Sequence, residues 1–261
     1  METKYPIILV HGIVLKDILF IKSFGRIDKR LKEKGYHVYK SKIDGFGVTK
    51  NNAIALKREI LEILEKEGAE KINIIAHSKG GLDAKEMIKK LNMEDKVASL
   101  TTLCTPHKGS PVASNILRAP NWILRFVAFW LNFWYRIFGD KHPDALGVCK
   151  ELIESKEIEE ETFNVSNKIY CQSYSTKMEK ARDDFVMGIP FMFFHYFKKD
   201  VECDGLVSKE SSIFGEYKGH AFDDENISHS AITDFFVNKR KKEKIYAFYE
   251  QLCLDLKKRG F

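Results

Sequence analysis

Apolar residues follow two rhythms along this chain. Short runs rich in apolar residues at Tyr5–Val10 (YPIILV) and Lys71–Ala76 predict buried strands, and Val97–Thr105 (VASLTTLCT) predicts another strand. Gly35–Ile43 and Lys168–Thr176 predict two more. Between them lie segments of helical period: Phe24–Gly35, Asn52–Lys66, Leu82–Leu91 and Lys244–Lys257. In the second, Ala53, Leu56, Ile60, Ile63 and Leu64 share one face; in the last, Ile245, Phe248, Tyr249, Leu252 and Leu256 do. Strands alternating with amphipathic helices predict an α/β fold, a mostly parallel central sheet flanked by helices. Ligands of such sheets bind beyond the carboxyl ends of the strands. His11-Gly12, Ser78 and Pro106-His107 all follow strand ends, so one rim should gather them.

The alternation stops between Pro111 and Phe163, which predicts a helical cap or lid insertion (111–163) within a single domain spanning 1–261. Its segment Asn121–Phe138 (NWILRFVAFWLNFWYRIF) holds all three tryptophans of the chain. On a helical wheel Asn121, Arg125, Asn132 and Arg136 fall within about 60° of one another, and the remaining circumference is apolar. Such a helix must bury most of its surface or meet lipid. A membrane crossing would place Ser78 and everything after Phe138 on opposite sides of a bilayer, so no transmembrane segment is expected. Two readings remain, a core helix of the insertion or a lid that docks on a lipid surface, with Trp122, Phe126, Trp130 and Trp134 lining the substrate side. A second aromatic cluster, Phe185–Phe197, could line the same mouth or belong to the core.

Composition changes this picture little. Lys plus Arg exceed Asp plus Glu by 43 to 37, with no basic–aromatic interleaving, so no nucleic-acid partner is expected, and the run Asn238–Lys244 reads as a solvated helix start. Five scattered cysteines without a C-x-x-C suggest neither a disulfide framework nor a zinc knuckle. The opening METKYPIILVHG enters a strand without a secretory h-region, so the expected location is the cytoplasm.

The chemistry concentrates at residues 73–83, NIIAHSKGGLD. A strand runs into Ser78 and a helix runs out of it, with Ala76 and Gly80 at the small flanking positions of a G-x-S-x-G nucleophile elbow. The helix N-terminus behind the serine offers unpaired N–H groups to a developing oxyanion. A serine hydroxyl needs a base, and the base needs an orienting carboxylate. In α/β-hydrolases the chain order is Ser, then Asp or Glu, then His. Asp204, on an Asp-Gly turn after a presumed strand, is the stronger acid candidate and Asp200 the alternative; His229, where a loop enters a helix, is preferred as base over His220 in a presumed surface loop.

Taken together, VHGI (Val10–Ile13), AHSKGGLD (Ala76–Asp83), TPHKGS (Thr105–Ser110), DGLVS (Asp204–Ser208) and SHS (Ser228–Ser230) resemble the bacterial triacylglycerol lipase branch of the α/β-hydrolases, which includes the Pseudomonas and Burkholderia enzymes. The resemblance implies the α/β-hydrolase fold and a Ser78–His229–Asp204 triad. It also implies an oxyanion hole from the backbone N–H groups of Ile13 and Lys79. The activity implied is hydrolysis of carboxylic esters of apolar acyl chains, acylglycerols included, through an acyl-enzyme and without a cofactor. Other esters or thioesters, and an inactive lipid-binding homologue, are the rival readings. Secreted members bind calcium through an Asp two residues past the catalytic His; that position is Ala231 here, so no such metal is expected, and Asp83 and His107 are read as supporting residues rather than zinc ligands.

Overall fold

The computed structural model describes residues 2–13, 22–153, 168–197 and 201–261. Six strands, β1 (Ile7–Val10), β2 (Val38–Lys40), β3 (Ile72–His77), β4 (Val97–Leu103), β5 (Tyr170–Ser175) and β6 (Glu216–His220), form one sheet in the order β2-β1-β3-β4-β5-β6. Every pairing is parallel. β1, β3 and β4 are buried throughout, which is why they read as runs rich in apolar and β-branched residues. β6, EYKGH, is an edge strand with polar, partly exposed positions, and no run marks it; His220 closes this strand rather than lying in a surface loop.

Strand alternation splits the core into two layers. Ile7, Leu9 and Ile75 face α1 (Ile27–Glu33) and α9 (Lys239–Lys258), meeting Leu31, Ile245, Tyr249 and Leu252. Ile8, Val10, Ile74 and Ala76 face α2 (Thr49–Glu67) and α3 (Lys79–Lys90), meeting Leu56, Ile60, Ala84 and Met87. Asn238 caps α9 by accepting the Lys241 amide at 3.0 Å, so the basic run does start a helix.

After β4 the chain leaves the sheet and runs through α4 (Pro111–Ile116), α5 (Asn121–Ile137) and α6 (Ala145–Glu151) before returning at β5. The exit of α5 is tied down: the buried Asp140 carboxylate accepts the amides of Gly45 and Phe46 at 3.1 and 2.9 Å, and Asn132 Oδ1 accepts the Ala145 amide at 2.8 Å. Yet no residue of α5 is buried, which removes the core-helix reading. Among the described residues no helix is long and apolar enough to cross a membrane. α7 (Gly188–Phe197) divides its aromatic cluster, burying Phe191 and Phe194 while Ile189, Met192 and Tyr196 stand exposed; α8 (Lys209–Ser212) follows.

Candidate active site

Ser78 alone makes the turn from β3 to α3, with φ 55° and ψ −133°, a left-handed backbone that a residue with a Cβ rarely adopts. Its neighbours hold it there. The Ser78 amide donates to Leu103 O at 3.0 Å, and the Ser78 carbonyl accepts Thr105 Oγ1 at 2.8 Å and the Gly81 amide at 3.0 Å. The loop after β1 presses against this elbow. A Cβ at Gly80 would stand 2.5 Å from His11 O, and one at Gly12 would stand 2.7 Å from Ser78 Cβ and 3.0 Å from Lys79 N. Gly12 therefore lets this loop reach the elbow, Ile13 lines the same cavity as the serine, and Lys79 begins α3, where an amide has no acceptor within its helix.

His229 Nε2 lies 2.8 Å from Ser78 Oγ, and its Nδ1 lies 2.8 Å from Asp204 Oδ2. In the tautomer that satisfies both, the serine hydroxyl donates to Nε2 and Nδ1–H donates to the carboxylate. Asp204 is buried, and its other oxygen accepts the amides of Leu206 at 3.0 Å and Val207 at 2.8 Å, so the carboxylate cannot swing away. The Asp204 carbonyl also accepts the His229 amide at 2.9 Å. Among the described residues no strand leads into Asp204; a bridge between Cys203 and Ser208 closes its turn. The alternative acid Asp200 lies outside the described residues. The alternative base His220 bonds Ser175 Oγ at 2.8 Å on β6 and has no part in this relay.

The residues on either side of the serine do work that the motif does not advertise. His77 Nε2 donates to the His229 carbonyl at 2.9 Å, pinning the main chain of the imidazole to the strand that carries the hydroxyl. Burial, with His229 and His11 nearby, drives the His77 pKa well down, so this ring is a neutral strut. Lys79 Nζ pairs with Asp83 Oδ1 at 2.5 Å one helical turn on, both side chains being 1% exposed, and Asn52 Nδ2 donates to Asp83 Oδ2 at 2.9 Å. Burial pushes the Asp83 carboxyl up, and Lys79 and Asn52 pull against it.

His107 stacks on Phe214 with ring centroids 4.6 Å apart, receives Lys85 Nζ at 3.3 Å on Nδ1, and bonds Thr102 Oγ1 through Nε2 at 3.1 Å. Asp83 and His107 thus face partners within the protein rather than one another. Burial first, then Lys89, brings Lys85 down to about 7. Because this folded value lies below the unfolded one, near 10.4, the unfolded chain binds the extra proton between the two, and stability rises with pH across that window. Lys85→Met should therefore stabilise the protein at pH 6 by about 1–4 kcal/mol. The gain should shrink at pH 10, read as urea midpoints at the two pH values; an equal gain at both would refute a buried-charge penalty.

Among the described residues, one set of three metal-capable side chains has its ligand atoms within 4.8 Å of one another: Cys104, Asp204 and His229. Two of these, Asp204 and His229, already hydrogen-bond each other, and burial pushes the Cys104 thiol well up.

Ser78 and His229 open into a cavity of about 620 Å³. From α5 it takes Leu124, Val127, Ala128, Leu131 and Tyr135, and Val186 and Met187 close another side. Trp122, Phe126, Trp130 and Trp134 do not line it, a correction to the sequence reading. At four-residue spacing they share the opposite face of the helix and point outward, 72%, 62%, 44% and 49% exposed. The wheel shows which residues share a face; only packing decides which face turns inward, and Tyr135 does so by setting its ring edge-on to Phe46 at 4.4 Å between centroids.

Fold and site together define a lipase-like ester hydrolase of the α/β-hydrolase superfamily. The resemblance drawn from the short motifs is borne out by relatives: the chain is 28% identical to triacylglycerol lipase 2 of Saccharomyces cerevisiae over 94% of its own length and 76% of that protein's. It is 34% identical to the triacylglycerol lipase of Burkholderia plantarii over 58% of its length, spanning 45% of that enzyme. A solved metagenomic carboxyl esterase shares the fold with a TM-score of 0.74 at 14% identity, over 98% of this chain and 76% of that one. Residues 6–238 match the palmitoyl protein thioesterase family, and the chain belongs to it.

Proposed function

We propose that the protein hydrolyses carboxylic esters of apolar acyl chains, acylglycerols foremost, through an acyl-enzyme on Ser78. The observation that carries this is the hydrogen-bonded run from Ser78 through His229 to Asp204 at the floor of an apolar cavity. As Ser78 Oγ attacks the ester carbonyl, its proton passes to His229 Nε2, and the Asp204 carboxylate stabilises the imidazolium that forms. The carbonyl oxygen, now negative, would be held by the amides of Ile13 and Lys79, each such donor lowering a barrier by about 2.7–4 kcal/mol. Collapse returns the proton to the departing alcohol. A water, deprotonated by the same imidazole, then releases the acid and restores the serine. The cavity suits the acyl chain, since each buried methylene contributes ~0.8 kcal/mol.

Acyl thioesters are the second reading, favoured by the family match. The relay would run identically with a thiol leaving, and a chain-length series of matched oxygen esters and thioesters separates the two by kcat/KM. A fluorophosphonate ester tests the shared chemistry: it should label the native protein covalently, and absence of labelling in the folded wild type would leave only lipid binding.

The exposed aromatic face of α5 and the exposed side of α7 support seating on a lipid surface, since a bare apolar patch of this extent is costly in water. Trp130→Ser with Trp134→Ser should lower the rate on emulsified triacylglycerol severalfold more than on a soluble short-chain ester. Equal losses on both substrates would argue for a packing role.

A further inference from the structure

One carboxylate outside the relay grips both the loop of the base and the wall of the cavity. Asp184 Oδ2 accepts the hydroxyl of Ser228 at 2.5 Å and that of Ser230 at 3.3 Å, the two residues flanking His229. Its other oxygen, Oδ1, accepts the amides of Val186 at 2.6 Å and Met187 at 2.9 Å, whose side chains line the cavity just before α7 begins. The preceding residue repeats the connection, with Asp183 Oδ2 accepting Asn226 Nδ2 at 3.2 Å and also the Glu179 and Lys180 amides at 2.9 Å. Ser228 is itself committed on both sides, since its Oγ accepts the Ala231 amide at 3.1 Å and so sets the turn that His229 occupies.

These bonds add a hold on the main chain flanking the imidazole to the contacts that the ring makes itself. His77 holds its carbonyl, Asp204 holds its amide and Nδ1, and the hydroxyls on either side reach across to Asp184 at the α7 entry. A ring displaced by about 1 Å from its partner can lose on the order of 100-fold in rate. The bond from Ser228 Oγ to Asp184 is charge-assisted, the stronger kind.

Resting on the reading of His229 as the base, we propose that Asp184 is a positioning residue: through Ser228 and Ser230 it fixes His229, and through Val186 and Met187 it ties that position to the cavity wall the acyl chain touches. Asp184 meets no reacting atom. Its effect should fall on kcat and not on binding, and it should make kcat respond to how fully the cavity is filled.

The test is steady-state kinetics of the full chain on p-nitrophenyl esters of increasing acyl length. In Asp184→Ala, kcat on the acetate should fall about 10- to 100-fold with KM altered less than about threefold. Asp184→Asn, which keeps an acceptor for the amides and a polar atom for the hydroxyls, should recover most of the loss. Any rise of kcat with chain length in the wild type should flatten in the alanine variant. Should Asp184→Ala fail to fold by circular dichroism, the double variant Ser228→Ala/Ser230→Ala, which leaves the Val186 and Met187 bonds in place, decides: a comparable fall in kcat supports the proposal. Wild-type kcat in a folded Asp184→Ala or in the double serine variant overturns it. A wild type that neither turns over esters nor takes the fluorophosphonate sinks the hydrolase reading instead.

Discussion

Ser78→Ala should abolish ester hydrolysis and leave the fold as it is. Alanine keeps the Cβ, so the left-handed backbone at φ 55° is no worse strained than with serine, and the three main-chain bonds that hold the turn, to Leu103, Thr105 and Gly81, do not involve Oγ. What disappears is the oxygen 2.8 Å from His229 Nε2. In a serine hydrolase the loss of the nucleophile or of its base costs roughly 10⁴- to 10⁶-fold in kcat, and removing both costs little more than removing either. His229→Ala should thus match Ser78→Ala, and the double variant should match both. His220→Ala, which breaks a contact to Ser175 at the far edge of the sheet, should keep most of its activity. The readout is kcat/KM on a soluble p-nitrophenyl ester with folding checked by circular dichroism. Retention of more than about one-hundredth of the rate by Ser78→Ala would show that the hydroxyl is not the nucleophile.

The second large effect is on stability. Asp83→Ala should cost about 3–5 kcal/mol, because it leaves the Lys79 ammonium 1% exposed and without its carboxylate. Asn52 Nδ2 would lose its acceptor at the same stroke. Lys79→Met/Asp83→Leu removes both charges together and should recover most of the stability, the signature of a pair that costs more to break than to replace. Urea unfolding of the two single variants and the double closes the cycle. A loss below about 1 kcal/mol in Asp83→Ala would mean that water reaches the lysine. The pair sits where the lysine amide opens α3, so folded Asp83→Ala should also hydrolyse esters more slowly than wild type.

How much of this was legible in the chain follows from where each constraint acts. β1, β3 and β4 were visible because strands buried on both faces are rich in apolar and β-branched residues. β6 was not, because an edge strand with exposed positions leaves no such trace in EYKGH. Ser78 was legible from its own neighbours, since a tight strand-to-helix turn imposes Ala76 and Gly80 locally. Asp204 and His229 were legible only as a turn residue and a residue where a loop enters a helix, in the right order. The strut from His77 joins residues 152 positions apart and the grip of Asp184 on Ser228 spans 44, so neither leaves any periodicity to read. The signal that could have hinted at them is modest: a histidine beside the serine, and two serines bracketing the base.

The outward ridge of α5 also governs how the molecule behaves at the bench. With Trp122, Phe126 and Phe129 each more than three-fifths uncovered, the protein should behave as a surfactant with a rigid head. In plain buffer the ridges should find plastic, the air–water boundary or one another, so concentration and apparent mass should drift with handling. A nonionic detergent above its micelle threshold gives that ridge a partner, and it is in such a solution that the molecule should travel as a single particle.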